Sequence, residues 1–217
     1  MRGAFVGVVL AGGLARRMGG GDKPLLPIAG RPMLDHVIER LAPQVGALVL
    51  NANGAPERFA DYGLPVVADT VAGHPGPLAG VLAGLAWARD NRPTARWVVS
   101  AAGDTPFLPR DLVSRFAAAL ADAAPGTIAV AAHAGATHQA VAAYPVELAD
   151  GLDRDLRAGA ARALLAWIAR HRHVFVPFEA AEGVDPFFNV NTPEDLAAAE
   201  RAIGTLGKAD PGRTGAA

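Results

Sequence analysis

The residues with the most chemistry in them follow short apolar runs. The run AFVGVVL at 4–10 leads into LAGGLARRMGGGDKP. Gly12 and Gly13 leave the backbone uncrowded, so successive N–H groups can turn toward an anion. Arg16, Arg17 and Lys23 add full positive charge to the same loop. Together they describe a phosphate cradle. The spacing excludes two familiar versions of one. A Walker loop needs Gly-Lys-Ser/Thr, but Lys23 stands between Asp22 and Pro24, and G-x-G-x-x-G is absent at the turn. A merely flexible glycine loop has no need of three cations directly after a buried strand.

Other polar residues occupy equivalent places. Asn51-Ala52-Asn53-Gly54 follows the apolar run at 47–50. Asn can donate and accept, which suits a base edge or ribose, although Asn and Gly also favour plain turns. Asp69 follows Val66-Val67-Ala68 and reads equally as a ligand or as a loop cap. Gly76-Pro77 opens a helix whose first amides can face a ligand. Asp104, just after WVVSAAG, is a candidate Mg²⁺ ligand, because Mg²⁺ takes one or two carboxylates plus phosphate oxygens and water. The alternative is an Asp that opens a Pro turn. Asn189 and Asn191, two apart on an extended stretch, share a side. They could bind a polar heterocycle, or Asn191 could simply lead into the next helix. The histidines offer no metal site: His133 and His138 flank a turn, His171 and His173 share a face, and no third ligand is evident.

The elements that must position these residues alternate between strand and helix. Strands are expected at 4–10, 47–50, 66–68, 97–101, 127–132, 141–144 and 174–177. Helices are expected at 32–41, 77–89, 109–120 and 164–170, and a last one begins after Thr192 with Pro193 in its first turn and Asp195 completing a capping box. This alternation gives a three-layer α/β/α domain on a mostly parallel, Rossmann-like sheet. Ligands in such sheets bind beyond the carboxyl ends of the strands, where the polar residues above fall. A single domain over 1–206 is expected, followed by a disordered tail that sets in at about Gly204 and covers 207–217.

Composition removes several classes of function. Net charge is −1, without the basic surplus usual for nucleic-acid binding. No apolar run approaches the ~20 residues that span a bilayer, and no secretory signal opens the chain. There is no cysteine, hence no disulfide, thiolate nucleophile or Cys-ligated metal. A cytoplasmic protein is expected. Alanine accounts for 48 residues, and Lys23 and Lys208 are the only lysines against 18 arginines. A lysine retained in such an arginine-rich chain is itself a mild pointer.

LAGGLARRMGGGDK, Leu50-Asn51-Ala52-Asn53, GPLAG at 76–80, GDTPFLP at 103–109 and FNVNTPEDL at 188–196 together resemble the molybdenum cofactor guanylyltransferases (MobA), within the NTP-transferase superfamily. The resemblance covers Leu10 to Leu196. It implies transfer of GMP from GTP to molybdenum-molybdopterin, with Mg²⁺ as cofactor and pyrophosphate released. It implies GTP contacts from Leu10, Ala11, Gly12, Lys23, Asn51, Asp69 and Asp104. Lys23, Arg17 and Asp104 would be catalytic, Asp104 would hold the metal, and Asn189 and Asn191 would lie on the molybdopterin side. Molybdoenzymes, their chaperones or molybdenum-insertion proteins would receive the product. Alternatives are a cytidylyltransferase on the same pterin and a non-catalytic nucleotide or pterin carrier. Gln139-Ala140 follows His138 where family members often have Pro-Thr or Pro-Val, and no site is assigned there.

Overall fold

A computed structural model describes residues 2–12, 21–71, 76–161, 163–181 and 183–209. The elements are β1 (Phe5–Leu10), β2 (Pro27–Ile28), β3 (Arg31–Pro32), α1 (Met33–Leu41), β4 (Ala47–Asn51), β5 (Val66–Val67), α2 (Pro77–Asn91) and β6 (Trp97–Ala102). They continue with α3 (Leu112–Leu120), β7 (Ile128–His133), β8 (Ala136–Pro145), α4 (Ala149–Arg157), α5 (Leu164–Ile168), β9 (His173–Pro177) and α6 (Pro193–Ala209). The main sheet has the order β5-β4-β1-β6-β8-β7-β9. Only β8 runs against the others, pairing antiparallel with β6 and β7. The expected three-layer, mostly parallel sheet is therefore the observed fold.

Alternation along the strands divides the core into two layers. Phe5 and Val9 pack with Leu34, Val37 and Leu41 of α1 and Phe116 of α3. Val6 and Val8 point the other way, toward Leu78, Val81 and Leu85 of α2, Leu152 of α4 and Trp167 of α5. Burial on both faces explains why these strands read as continuous apolar runs.

The strand order reverses at β1. From β1 the chain moves outward to β4 and β5, then returns to β6 on β1's other side. Such a switch point leaves a crevice at the carboxyl ends of the two central strands. Leu10 ends β1 and Ala102 ends β6, directly opposite each other. The residues just beyond them are Ala11-Gly12 and Gly103-Asp104.

Several elements differ from expectation. Helix α4 was not anticipated: Ala149, Leu152 and Leu156 are its buried residues within a charged segment. Strand β8 is ten residues long rather than four. Helix α3 starts at Leu112, since 109–111 form a turn before it. Helix α6 continues through Gly204 to Ala209. A mid-helix glycine costs only about 1 kcal/mol, and Ala202 and Ile203 are packed against a third small cluster around Phe107 and Val190. The rest of the expected tail, 210–217, lies outside the described residues. Two hairpins turn through Ala-Gly: Ala29 and Gly30 (φ 49° and 79°), then Ala134 and Gly135 (φ 48° and 81°). Positive φ at both central residues is the type I′ arrangement that matches strand twist.

Candidate functional site

The crevice holds a cavity of about 300 Å³. Leu10 and Gly12 line it from the end of β1, Asn51, Asn53 and Asp69 from the β4 and β5 side, and Asp104 from β6, with Lys23 opposite. Gly76 and Pro77 also line it, so α2 presents its N-terminal end there. The positive end of the helix dipole favours an anion at that point.

Lys23 lies on a short 3₁₀ turn, Lys23–Leu25, and is only 9% exposed. Its Nζ donates to Asp104 Oδ2 at 2.5 Å and to Asn191 Oδ1 at 2.6 Å. The three residues come from three distant parts of the chain. Asn191 is brought in by the start of α6. Asp195 Oδ2 accepts from the Asn191 and Thr192 N–H groups, and Asp195 N–H donates back to Thr192 Oγ1. The expected capping box is thus the anchor of a site residue. The Asn191 N–H, with the Thr192 hydroxyl and N–H, holds the Asp195 carboxyl below the usual carboxylate range. Val190 between the two asparagines is fully buried, and its N–H donates to Asp104 O at 3.0 Å.

A second network closes the other end of the cavity. Asp69 Oδ1 accepts from Asn51 Nδ2 and Asp69 Oδ2 from Asn53 Nδ2. Asn53 Oδ1 accepts the Asp69 N–H at 2.9 Å. Asn51 is braced from behind by Gly80 of α2. A Cβ at Gly80 would fall 2.7 Å from Leu10 Cδ2 and closer still to Asn51 Oδ1, so only glycine lets helix and carboxamide approach this far.

The candidates fall as follows. Leu10, Gly12, Lys23, Asn51, Asp69 and Asp104 surround one cavity. Ala11 is fully buried behind it, and its N–H is engaged by Asn51 O at 2.8 Å. Asn191 reaches Lys23, whereas Asn189 Oδ1 accepts from Thr105 Oγ1 at 2.7 Å at a smaller, neighbouring hollow. Arg17, together with Arg16 and Gly13, lies outside the described residues.

Three participants were not singled out from sequence. Asn53 was only part of a turn motif. Arg58 donates to Asp22 Oδ1 at 2.8 Å and to Asn53 O at 2.6 Å, tying the residue before Lys23 to the Asp69 network. Thr105 joins Asp104 to Asn189. Asn53 had a signal in its two-residue spacing from Asn51, but Arg58 and Thr105 had none.

A family model for the MobA-like NTP transferase domain matches residues 7–174. The chain belongs to the MobA-like NTP transferase family. A molybdenum cofactor guanylyltransferase of Mesorhizobium japonicum is 52% identical over 208 residues, covering 95% of this chain and 99% of that one. Another from Rhodopseudomonas palustris is 56% identical, covering 89% and 91%. Among solved structures, a molybdopterin-guanine dinucleotide biosynthesis protein A from Archaeoglobus fulgidus superposes with a TM-score of 0.72 at 25% identity, covering 93% of this chain and 99% of that one. A CMP:2-keto-3-deoxy-manno-octonic acid synthetase solved with CTP shares the MobA-like fold at a TM-score of 0.71 and 15% identity. Among the described residues no helix is long and apolar enough to cross a membrane.

Proposed function

We propose that this chain transfers GMP from GTP to the terminal phosphate of molybdenum-molybdopterin, forming the guanine dinucleotide cofactor and pyrophosphate. The observation that carries the reading is Lys23, held between Asp104 and Asn191 at the strand-reversal crevice, in a chain whose relatives are molybdenum cofactor guanylyltransferases.

An oxygen of the acceptor phosphate attacks the α-phosphorus of GTP. The bond from that phosphorus to the bridging oxygen breaks, and pyrophosphate leaves in line. A phosphate monoester is already anionic near neutral pH, so no strong protein base is required. The barrier comes from bringing two polyanions together, and it is lowered by positioning and by fixed positive charge. Lys23 and the Gly12 N–H place that charge at the phosphates. Arg17, on the loop outside the described residues, adds a second cation for the leaving group. Asn51 and Asp69 hold the nucleoside, with Leu10 and Ala11 shaping the strand end beneath it. Asn189 and Asn191 face the acceptor.

Mg²⁺ is the cofactor this reading requires. Asp104 suits it: its carboxylate opens on the cavity and, among the described residues, only its Oδ2 is engaged, by Lys23, whereas both Asp69 oxygens accept from asparagines. A single carboxylate is enough for a cation that completes its shell with phosphate oxygens and water. Mg²⁺ held there would supply charge neutralisation at the α-phosphate and the leaving group. The product would pass on to molybdoenzymes, their chaperones or molybdenum-insertion proteins.

The test is pyrophosphate release on mixing the chain with molybdenum-molybdopterin, Mg²⁺ and either GTP or CTP. Release with GTP supports the proposal. Release with CTP instead identifies a cytidylyltransferase, and none with either identifies a carrier.

A further inference from the structure

Beside the nucleotide cavity lies a second hollow of about 140 Å³, which neither the fold nor the capping of α6 requires. Ala140 lines both, and Thr105 of the second follows Asp104 of the first, so the two share a wall. The hollow exists because β8 bulges. Opposite β7, Ala142 pairs with Val130 and His138 pairs with Ala131, leaving Gln139, Ala140 and Val141 without partners on β7. Pairing with β6 covers only 142–145. Bulges of this kind re-aim side chains beside sites.

The bulge is built rather than accidental. Ser100 and Tyr144 are both fully buried. The Ser100 hydroxyl donates to Ala140 O at 2.8 Å and the Tyr144 hydroxyl to Gln139 O at 2.9 Å, satisfying carbonyls that the β7 ladder leaves unpaired. The result holds His138 with its ring against Phe187 at 4.6 Å between centroids. Its Nε2 is buried and has no hydrogen-bond partner among the described residues. A buried polar atom without a partner is costly unless a ligand or water completes it. Asn189, with its Oδ1 taken by Thr105, lines the same hollow. Burial pushes the His138 imidazolium down, as does His133, while Asp185 opposes them; the ring is therefore neutral near pH 7.

We infer that His138 is a specificity-determining residue for the second substrate: its Nε2 hydrogen-bonds the polar edge of a flat nitrogen heterocycle seated between Phe187 and Asn189. This rests on the transferase reading, in which that heterocycle is the pterin. The hollow has less than half the volume of the nucleotide cavity, which suits one ring system and not a second nucleotide.

The test uses 6-hydroxymethylpterin monophosphate as a stable probe, with dissociation constants read from pterin fluorescence in the full chain. His138→Leu weakens the probe about tenfold and leaves GTP binding within about twofold, because only one polar contact is lost. His138→Gln, which restores a polar group, recovers part of the loss. In the wild-type chain labelled with ¹⁵N-histidine, the His138 Nε2 resonance shifts on adding the probe and not on adding GTP. An unchanged probe affinity in both variants, an equal loss for GTP, or a silent Nε2 resonance overturns the inference. If His138→Leu does not fold, His138→Gln and the wild-type resonance still decide. Failure of the transferase reading is separate: it appears as wild-type chain that releases no pyrophosphate, whatever the His138 variants do.

Discussion

Replacing Lys23 with alanine separates a catalytic role from a structural one. In the free chain Lys23 Nζ makes two short polar contacts, and the side chains of Lys23 and Asp104 are 11% and 22% exposed. The attraction of such a pair at an effective dielectric of about 20 is several kcal/mol, but removing both charges from water costs a similar amount. Truncating one partner of a fully buried pair costs about 3–5 kcal/mol. Asp104 opens on a wet cavity, so about 1–2 kcal/mol is expected here, a fall in Tm of about 2–8 °C for a domain of this size. The chain stays folded at 25 °C. The effect on transfer is larger, because the cation faces charge that rearranges in the transition state. Losing one such preorganised group costs about 3–4 kcal/mol, or roughly 10²–10³ in kcat/KM. The assay pairs coupled pyrophosphate detection with thermal unfolding by circular dichroism. A Lys23→Ala chain that folds and turns over within about threefold of wild type refutes the phosphate assignment.

Three other outcomes follow from the packing. Gly80→Ala drives a methyl into Asn51 and Leu10, so it weakens GTP binding and lowers stability by about 1–3 kcal/mol, measured by calorimetric titration and denaturant unfolding. Ala134→Asn places a residue that tolerates left-handed backbone at φ 48° on an exposed turn; it raises stability by roughly 0.5–1 kcal/mol, seen as a higher urea midpoint with unchanged slope. For His138 the pKa is lower folded than unfolded, so between the two values the unfolded chain binds more protons and stability rises with pH. That contribution is complete above the ordinary histidine value of about 6.5 and is lost as pH falls toward the folded value. The pH dependence of Tm in this window is shallower in His138→Leu than in wild type.

That Gly12, Asp69 and Asp104 gather at one cavity was legible from sequence because each follows a short apolar run, and ligands gather at strand ends whatever the strand order. The capping box of α6 was equally plain, since Thr192, Pro193 and Asp195 act on their own neighbours. What joins these parts was not local. Lys23 meets Asp104 across 81 residues and Asn191 across 168, and only the strand order brings them together. Helix α4 was missed although Ala149, Leu152 and Leu156 stand at i, i+3 and i+7 on one helical face, because the segment is too polar overall to read as an apolar run. The β8 bulge was invisible for a related reason: a run of small apolar residues looks the same whether or not it is paired, and the polar residues that secure it, Ser100 and Tyr144, read as ordinary strand positions.

On the proposed function, one nucleoside triphosphate lies in the β1–β6 crevice with its phosphates between Lys23 and Asp104. A crystal structure of the chain soaked with GTP and Mg²⁺ tests it most directly. The α-phosphate is expected beside Lys23, the metal on Asp104, and the nucleoside against Asn51 and Asp69. Density for GTP elsewhere on the surface, with Lys23 still closed on Asp104 and Asn191, would contradict it.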